Sequence, residues 1–373
     1  MDTLKKLEVL SEASQYDLAC ACGTGKNDRR QRDGAGHWLY PVPLPQGGYS
    51  VLLKTLLSSA CANDCKYCPL RSDANAKRCT LSADETAKVF MDYYRRRIVF
   101  GLFLSSGVIG NPDRTMERLN GTVRLLRRKY GFKGYVHLKI IPGASDAAVE
   151  EAVSLASAVS LNIETPGEKY FNKLSDVKNF TSDIVRPAKL MSSLTTKGTQ
   201  FSRVKCTTQF IVGAADENDS DIISYVDAVY NRLNFQRVYF SAYQPGLGDR
   251  SIPGEQRFEL NPEDHLTREH RLYQCDFLFR QYGFEKSELF FDDSGNLPLD
   301  RDPKQVWADK HMHLFPVNLN KASKEMLLRI PPIGPTLAKK IIKLRKIHAL
   351  HELSEIGLKG KNAKKALPYV TFS

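Results

Sequence analysis

Six short apolar segments alternate with longer segments of helical period, and this alternation constrains the fold of the chain more than any other feature. The strand candidates are Val51–Leu57, Leu102–Ser106, Tyr135–Ile141, Val159–Glu164, Lys205–Val212 and Val238–Tyr243. The helix candidates are Ala83–Ile98, Met116–Tyr130, Asp146–Ala156, Ser182–Thr196, Asp219–Arg232 and Glu263–Tyr282. Strands that alternate with helices predict an α/β fold with a parallel sheet, and six such units predict an open or partial (β/α)6 barrel.

Polar residues recur at every second position of these strands. His137 and Lys139 share one face of their strand, and Asn162 and Glu164 share one face of the next. The outer face of a parallel barrel meets helices, so the polar face predicts the lumen. We interpret this lumen as a binding site for a polar ligand; the alternative is a hydrogen-bonded lumen that holds no ligand.

Three cysteines follow the first predicted strand in the run Cys61-Ala62-Asn63-Asp64-Cys65-Lys66-Tyr67-Cys68, a C-x3-C-x2-C motif. Three thiolates on one loop favour a [4Fe–4S] cluster in which one iron lacks a protein ligand. A zinc site is the first alternative, although zinc usually takes a fourth Cys or His ligand. Three unrelated reduced cysteines are the second.

This motif after a first barrel strand resembles the radical S-adenosylmethionine (SAM) superfamily. The resemblance implies a partial (β/α)6 barrel in which Cys61, Cys65 and Cys68 bind the cluster. It implies that the remaining iron chelates the amino and carboxylate groups of SAM. One electron then cleaves SAM to a 5′-deoxyadenosyl radical, which abstracts hydrogen from a substrate.

The resemblance also implies further site residues. Ser105-Ser106-Gly107 stands where relatives often have Gly-Gly-Glu near the methionine amino group, so this chain lacks that carboxylate. Tyr67 matches the aromatic residue whose backbone meets adenine, and Tyr243 stands where the last strand lines the adenine pocket. Lys139, Asn162 and Glu164 suit the SAM carboxylate and ribose, and we expect Lys139 and Glu164 to act in catalysis with the cysteines.

Five cysteines lie outside the motif. We expect Cys206 and Cys275 to be buried apolar residues. Cys20, Cys22 and Cys79 have two candidate roles, as a thiol hydrogen donor or as ligands of a second metal. The alternative is that they have no role in the site.

The end of the chain is strongly basic. Residues 317–373 hold twelve Lys and Arg against three acidic residues, and this excess makes up most of the net charge of +12 of the whole chain. Two predicted helices, Asn318–Ile330 and Thr336–Lys346, flank the turn Pro331–Pro335, and a poorer copy follows. The pattern resembles the helix-hairpin-helix of DNA-repair proteins, in which a turn and a helix N-terminus bind a phosphate without reading sequence. Pro332 replaces the usual first glycine of the turn, which weakens that contact. The expected DNA-binding residues are Ile333, Gly334, Thr336, Lys339, Lys340 and Lys343.

The expected segments are 1–48, an N-terminal helix and a loop or lid; 49–285, the barrel; 286–317, a linker; and 318–373, the small all-α helix-hairpin-helix domain. The sequence shows neither the apolar run of a signal peptide nor a segment of spanning length, so we expect a cytoplasmic protein with no membrane partner.

Taken over its whole length, the chain is similar to radical SAM proteins assigned to DNA modification or repair, whose relatives tend to be encoded beside a uracil-DNA-glycosylase-like partner. The resemblance implies an enzyme that abstracts hydrogen from a nucleotide of DNA and takes electrons from a low-potential donor. RNA or tRNA is the nearest rival substrate. A non-catalytic, redox-sensing iron–sulfur protein that binds DNA also fits the sequence, as does a basic tail that recruits a repair partner.

Overall fold

The computed structural model describes residues 1–14, 31–32, 38–43, 49–256 and 262–372. The chain divides into two compact units. The first comprises residues 1–217 and 225–269, and the second comprises residues 218–224 and 270–373. The four-segment division expected from the sequence stays a prediction.

The first unit is built on an eight-stranded sheet whose strands follow one another in chain order. The strands are β1 (Gln31–Arg32), β2 (Trp38–Pro43), β3 (Tyr49–Leu56), β4 (Gly101–Ser105), β5 (Tyr135–Lys139), β6 (Ala158–Ser160), β7 (Lys205–Val212) and β8 (Arg237–Ala242). Strands β3 to β8 pair in parallel, whereas β1, β2 and β3 pair antiparallel. The six parallel strands confirm the predicted partial barrel.

The helices before residue 278 are α1 (Thr3–Ala13), α2 (Ala83–Arg95), α3 (Pro112–Arg128), α4 (Asp146–Leu155), α5 (Glu168–Leu174), α6 (Arg186–Thr195), α7 (Asp219–Asn231), α8 (Pro253–Gln256) and α9 (Pro262–Phe277); α7 and α9 contribute residues to both units. A π-helical turn, Phe180–Val185, precedes α6, and another, Leu278–Tyr282, follows α9. Local signals start two of the helices: Ser82 and Glu85 form a capping box at α2, and Asn111 caps α3 before Pro112.

The alternation along the strands separates core from lumen as predicted. Leu104, Leu138 and Val159 pair in one row across β4, β5 and β6, and all three are fully buried. Their neighbours Ser105, Lys139 and Ser160 lie on the opposite face of the same strands. The helix-facing row is therefore the hydrophobic core, and the polar row faces the lumen.

Three local predictions are wrong. The segment expected as a loop contains strand β2, although Pro41 and Pro43 have no backbone N–H to donate to a sheet. Strand β6 ends at Ser160 rather than at Glu164, because the Ile163 N–H donates to Thr208 Oγ1 instead of to a backbone carbonyl, and Glu164 then pairs with Phe210 only as an isolated bridge. Helix α5 was not expected at all, since its seven residues are too few to show a helical period.

The second unit is mostly helical. Its elements include α10 (Pro303–Lys310), α11 (Lys324–Arg329), α12 (Pro335–Leu344) and α13 (Gly360–Ala366), with short strands β9 (Val317–Asn318) and β10 (Val370–Thr371) paired in parallel. The helix predicted from Asn318 begins later, at Lys324. Asn318 instead makes a turn in which its side chain accepts from the Asn320 N–H, and Ser323 caps α11 by accepting from Met326.

No helix within the described ranges is both long enough and apolar enough to cross a membrane.

Candidate active site

The carboxyl ends of the parallel strands surround a cavity of about 210 Å³ in the first unit. This is the edge at which parallel barrels place their active sites. Each residue of the barrel predicted to bind the cluster or SAM lines this one cavity: Cys61, Cys65, Tyr67, Cys68, Ser105, Ser106, Gly107, Lys139, Asn162, Glu164 and Tyr243. The structure thus brings together residues from five different strand ends, while the role of each one stays a prediction.

Each of the three cysteine sulfurs has a hydrogen-bond donor. The Val108 N–H donates to Cys61 Sγ over 3.3 Å, and the Leu70 N–H donates to Cys68 Sγ over 3.4 Å. The Lys178 ammonium group donates to Cys65. Thiolates accept hydrogen bonds better than thiols do, so three donors aimed at three sulfurs suit a set of metal-bound thiolates.

The three cysteine sulfurs are of the donor type that an iron–sulfur cluster requires. In a [4Fe–4S] cluster each cysteine binds its own iron. Burial raises the pKa of Cys65 and raises that of Cys68 to about 12, so metal binding itself must displace these thiol protons.

One arginine holds the cysteine loop in shape. Arg78 Nη1 donates to the carbonyl oxygens of Ser59 and Leu70, at 2.6 and 2.8 Å. Arg78 Nη2 donates to those of Arg71 and Ala74, at 2.6 and 3.0 Å. A planar guanidinium with five fixed N–H groups can bind four carbonyls of one loop at once, and two of these, those of Arg71 and Ala74, also accept backbone N–H groups.

The loop after β4 packs directly on the cysteine loop at Gly107. A Cβ atom at this position would lie 2.4 Å from the carbonyl oxygen of Ala60, which no side chain tolerates. The Gly107 N–H donates to Ser58, and the Ala62 N–H donates to Val108, so backbone joins backbone on both sides of the contact. Glycine at this position therefore allows the two loops to approach each other closely. Ser105 and Ser106 line the cavity beside it.

Residues 174–178, just after α5, anchor the middle of the cysteine motif. Asp64 accepts from Ser175 Oγ at 2.5 Å and from the N–H groups of Asp176 and Val177 at 2.6 and 3.2 Å. Burial opposes ionisation of Asp64, but these hydrogen bonds prevail and lower its pKa. The Lys66 N–H donates to the Leu174 carbonyl in addition. These contacts fix the position of Lys178, the next residue of the segment.

Glu164 reaches the cavity from a strained backbone. Its φ of +67° is uncommon for a residue other than glycine, and it is held by hydrogen bonds from the Glu164 N–H to Gln209 and from the Ile211 N–H to the Glu164 carbonyl. The carboxylate accepts from the Tyr67 hydroxyl and from Asn162 Nδ2 at 3.4 Å. Burial, followed by the negative charge of Glu164, raises the Tyr67 pKa well above its usual value, so Tyr67 stays a donor.

Tyr243 positions the loop that follows the last strand. Its hydroxyl donates to Glu255, which also accepts from the N–H groups of Gly246 and Gly248, the latter at 2.9 Å. Burial opposes ionisation of Glu255, but the hydrogen bonds, that of Tyr243 first, lower its pKa. The Asp249 N–H donates to the Lys66 carbonyl in the cysteine loop over 2.6 Å, and Leu247 of the same loop lines the cavity.

Three of the remaining cysteines, Cys79, Cys206 and Cys275, lie in the described part of the chain, and none of these three lines the cavity. Cys206 and Cys275 are fully buried, as predicted. Cys79 does not line the cavity, and its thiol lies 3.6 Å from the Lys6 carbonyl of α1. Cys20 and Cys22 lie outside the described residues.

The predicted phosphate-binding turn lies between α11 and α12 in the second unit. Thr336, Lys339, Lys340 and Lys343 are exposed along α12, whereas Ile333 is fully buried. The Ile333 N–H donates to Ile330 over 2.7 Å, and its carbonyl accepts from the buried Lys304 ammonium at 2.5 Å. Ile333 therefore holds the turn together, and the N–H groups of Thr336 and Leu337, in the first turn of α12, have no intrahelical acceptor.

A second turn lies beside the first. Gly357, with φ +88°, ends the turn in which its N–H donates to Ser354, and Lys340 Nζ lies 3.4 Å from the position that a Gly357 Cβ would take. Exposed lysines flank this turn at Lys359, Lys361, Lys364 and Lys365. The two turns together present a contiguous cationic surface.

Residues 315–371 match the helix-hairpin-helix motif family. The C-terminal residues form a helix-hairpin-helix module. The match covers this module alone, and it agrees with both turns and with the helices that flank them. No curated protein matches the sequence significantly.

Several solved structures resemble the chain. Methylornithine synthase aligns with 15% identity and a TM-score of 0.44 over 59% of this chain, which spans 61% of that protein. The FeFe-hydrogenase maturase HydG from Carboxydothermus hydrogenoformans aligns with 15% identity and a TM-score of 0.45, over 82% of this chain and 80% of that one. The cobalamin-dependent S-adenosylmethionine radical enzyme OxsB aligns with 12% identity and a TM-score of 0.35, over 80% and 45%. These likenesses are distant, with 12–15% identity.

Four residues of the site were not predicted from the sequence: Asp64, Arg78, Lys178 and Glu255. Asp64 lies inside the cysteine motif, and its acidic side chain on a loop was a local signal for backbone capping. No local signal marks Lys178, because the pattern around it differs little from that of any exposed lysine between two helices.

Proposed function

We propose that the chain is a radical SAM enzyme that acts on DNA. The observation that carries the proposal is the arrangement of Cys61, Cys65 and Cys68, three sulfurs with three hydrogen-bond donors at the mouth of a polar lumen. The helix-hairpin-helix module, with its exposed lysines, supports DNA as the partner.

Cys61, Cys65 and Cys68 would hold a [4Fe–4S] cluster, and SAM would occupy the cavity above them. When bound and reduced by one electron, this pair supplies a 5′-deoxyadenosyl radical that abstracts a hydrogen atom from a substrate. Ser105 and Ser106 offer hydroxyl and carbonyl groups on the side of the cavity where the methionine amino group is expected. Asn162 and Glu164 offer an amide and a carboxylate for the ribose hydroxyls.

The surrounding residues orient the ligands and exclude water. Lys139 presents a cation to the cavity and suits an anionic group of SAM or of the substrate. Tyr67 and Asn162 hold the Glu164 carboxylate in one orientation, which is the preorganisation that a directed hydrogen abstraction requires. The loop that Glu255 fixes closes the lumen on one side and keeps solvent from a reactive intermediate.

The module would bind the sugar–phosphate backbone, because exposed lysines along α12 and the N-terminus of that helix attract phosphates without contact to base edges. A base in duplex DNA must leave the stack to enter a lumen, at about a few kcal/mol, and a damaged base lowers that energy. The low-potential electron donor and the uracil-DNA-glycosylase-like partner stay predictions that the resemblance implies.

The test is an anaerobic assay of SAM cleavage. The protein is reconstituted with iron and sulfide and reduced with dithionite, and 5′-deoxyadenosine is measured with duplex DNA, with tRNA and with neither. The Cys65→Ala variant is the control for cluster-dependent chemistry. We expect cluster-dependent product that increases with DNA and that loses this increase in Lys339→Glu/Lys340→Glu/Lys343→Glu.

Each other outcome names a different function. Stimulation by tRNA alone would assign an RNA substrate. An assembled cluster and bound SAM without cleavage under any condition would replace the enzyme with a redox-sensing DNA-binding protein. Stimulation by DNA that survives in the triple lysine variant would leave the module as a docking surface for a protein partner.

A further inference from the structure

We propose that Lys178 is a positioning residue that sets the reduction potential of the cluster through the sulfur of Cys65. The proposal rests on the proposed function, since it needs a cluster on the three cysteines. It adds to it a residue from outside the motif, more than a hundred positions further along the chain. Its chemistry is that of a fixed positive charge beside a redox centre.

The position of Lys178 supports this role. The side chain lines the cavity with the three cysteines, and the residue is only 8% exposed. Lysines are rarely buried to this degree unless their charge is paired. The Lys178 ammonium donates a hydrogen bond to Cys65 and also faces the carboxylate of Glu164. The aromatic rings of Phe171 and Tyr67 lie 5.0 and 5.9 Å from Nζ and shield it from solvent.

The backbone of Lys178 is also held in place by hydrogen bonds. The Lys178 N–H donates to Ser175 Oγ over 3.2 Å, and Ser175 in turn donates to Asp64 in the cysteine loop. The same carboxylate accepts from Asp176 and Val177. The segment that carries Lys178 is thus attached to the residue just before Cys65, which holds the backbone of Lys178 close to the cysteine loop.

Addition of one electron makes a cluster more negative, and nearby positive charge and hydrogen bonds to its sulfurs favour the reduced form. Lys178 supplies both at Cys65, whereas Cys61 and Cys68 receive hydrogen bonds from neutral N–H groups. The electron comes from an external low-potential donor, dithionite in the experiment below, and no bond forms or breaks at Lys178. Its effect is therefore on potential and is separable from catalysis.

The test is an anaerobic redox titration of the reconstituted protein, followed by the electron paramagnetic resonance signal of the reduced cluster. The variants are Lys178→Met, which keeps length and removes charge, and Lys178→Arg, which keeps charge. Lys173→Met is the matched control, since Lys173 lies in α5, five residues before Lys178, and pairs with Asp216 at the surface. Iron and sulfide content is measured for each protein.

We expect Lys178→Met to lower the ratio of reduced to oxidised cluster at a fixed potential about tenfold, a shift of about 59 mV to lower potential for a one-electron couple. Lys178→Arg and Lys173→Met should keep the potential of the unaltered protein. A full cluster in Lys178→Met with an unchanged potential would overturn the proposal and leave the proposed function intact. Absence of any cluster in the unaltered protein would instead overturn the proposed function. Loss of iron in both Lys178 variants would reduce Lys178 to a residue required only for assembly, which also overturns the proposal.

Discussion

The cysteine loop and the helix-hairpin-helix module both depend on cations, yet they use them in opposite ways. Around the loop, Arg78 and Lys178 are directed at fixed acceptors, and Arg78 satisfies four carbonyl oxygens at once. In the module, Lys339, Lys340 and Lys343 extend into solvent along one helix. A cation with satisfied donors determines local structure, whereas an exposed one remains available to a polyanion and is screened by salt. Fixed hydrogen-bond partners and reduced exposure, more than residue type, separate the two functions.

The largest expected effect concerns the exposed lysines. Lys339→Glu/Lys340→Glu/Lys343→Glu should weaken binding to duplex DNA by on the order of a thousandfold near 0.1 M salt, because about three phosphate contacts are lost. The salt dependence of log K should become shallower by about 3. Fluorescence anisotropy with labelled duplexes of unrelated sequence measures both quantities. Lys88→Glu/Lys133→Glu/Lys189→Glu changes the net charge equally at exposed positions of the first unit. Equal loss in that control would show that net charge alone governs binding.

The next effect concerns Arg78. Arg78→Met should lower the free energy of unfolding by about 3 kcal/mol, because the carbonyls of Ser59 and Leu70 lose charge-assisted donors and the loop loses the group that joins them to Arg71 and Ala74. Urea denaturation of the apoprotein measures the change, and the reconstituted protein should hold less iron. An unaltered unfolding midpoint would show that water replaces the guanidinium, and the comparison between satisfied and exposed cations would then fail.

Lys304 sharpens the comparison, since it is a buried cation inside the second unit. Burial lowers its pKa to about 7 against the opposing charge of Asp302, and the charges of Arg329 and Lys365 act in the same direction as burial. Between pH 7 and the ordinary lysine pKa near 10.5, the unfolded chain binds a proton that the folded unit does not bind. Stability should therefore rise with pH, by about 2 kcal/mol from pH 7 to 8.5.

Urea midpoints across this pH range, followed by Trp307 fluorescence in a Trp38→Phe background, test the Lys304 prediction. Lys304→Met should remove the rise, since methionine does not titrate. A rise of the same size in Lys304→Met would assign the pH dependence to another group.

The smallest effect belongs to an exposed ion pair. Arg96 and Asp92 lie one turn apart at the end of α2, 3.3 Å from each other, and both side chains are more than half exposed. Arg96→Met should change the unfolding free energy by less than about 0.5 kcal/mol. Urea denaturation beside Arg78→Met provides the direct contrast between two arginines. A loss as large as that of Arg78→Met would contradict the claim that fixed hydrogen-bond partners and reduced exposure decide.

Much of the fold could be predicted because its signals are periodic. The alternation within Tyr135–Lys139 placed Lys139 in the lumen, and the repeat of strands and helices gave the parallel sheet. Strand β2 was missed because Pro41 and Pro43 argue against a paired strand. The first helix of the module was predicted too long because the side-chain turn at Asn318 interrupts a pattern that is still amphipathic.

The site residues that could be predicted are those marked by a local sequence signal, and the residues that could not be predicted depend on tertiary contacts. Cys61, Cys65 and Cys68 could be identified because their spacing is itself the signal. Lys178 could not, because its relation to Cys65 depends on tertiary structure, through Asp64 and the segment after α5. The direction of Glu164 into the cavity was predicted by strand alternation, but its left-handed backbone was not, since nothing in the residue type favours it.

That backbone at Glu164 has a consequence for anyone who sets out to engineer this protein. A left-handed glutamate is intrinsically less stable than glycine or asparagine at the same position, by about 1 kcal/mol or more. A library screened for thermal tolerance alone would therefore enrich those substitutions and discard the one carboxylate that Tyr67 and Asn162 orient. Heat resistance and function would diverge at a single codon, and only a screen that also reports turnover would keep glutamate there.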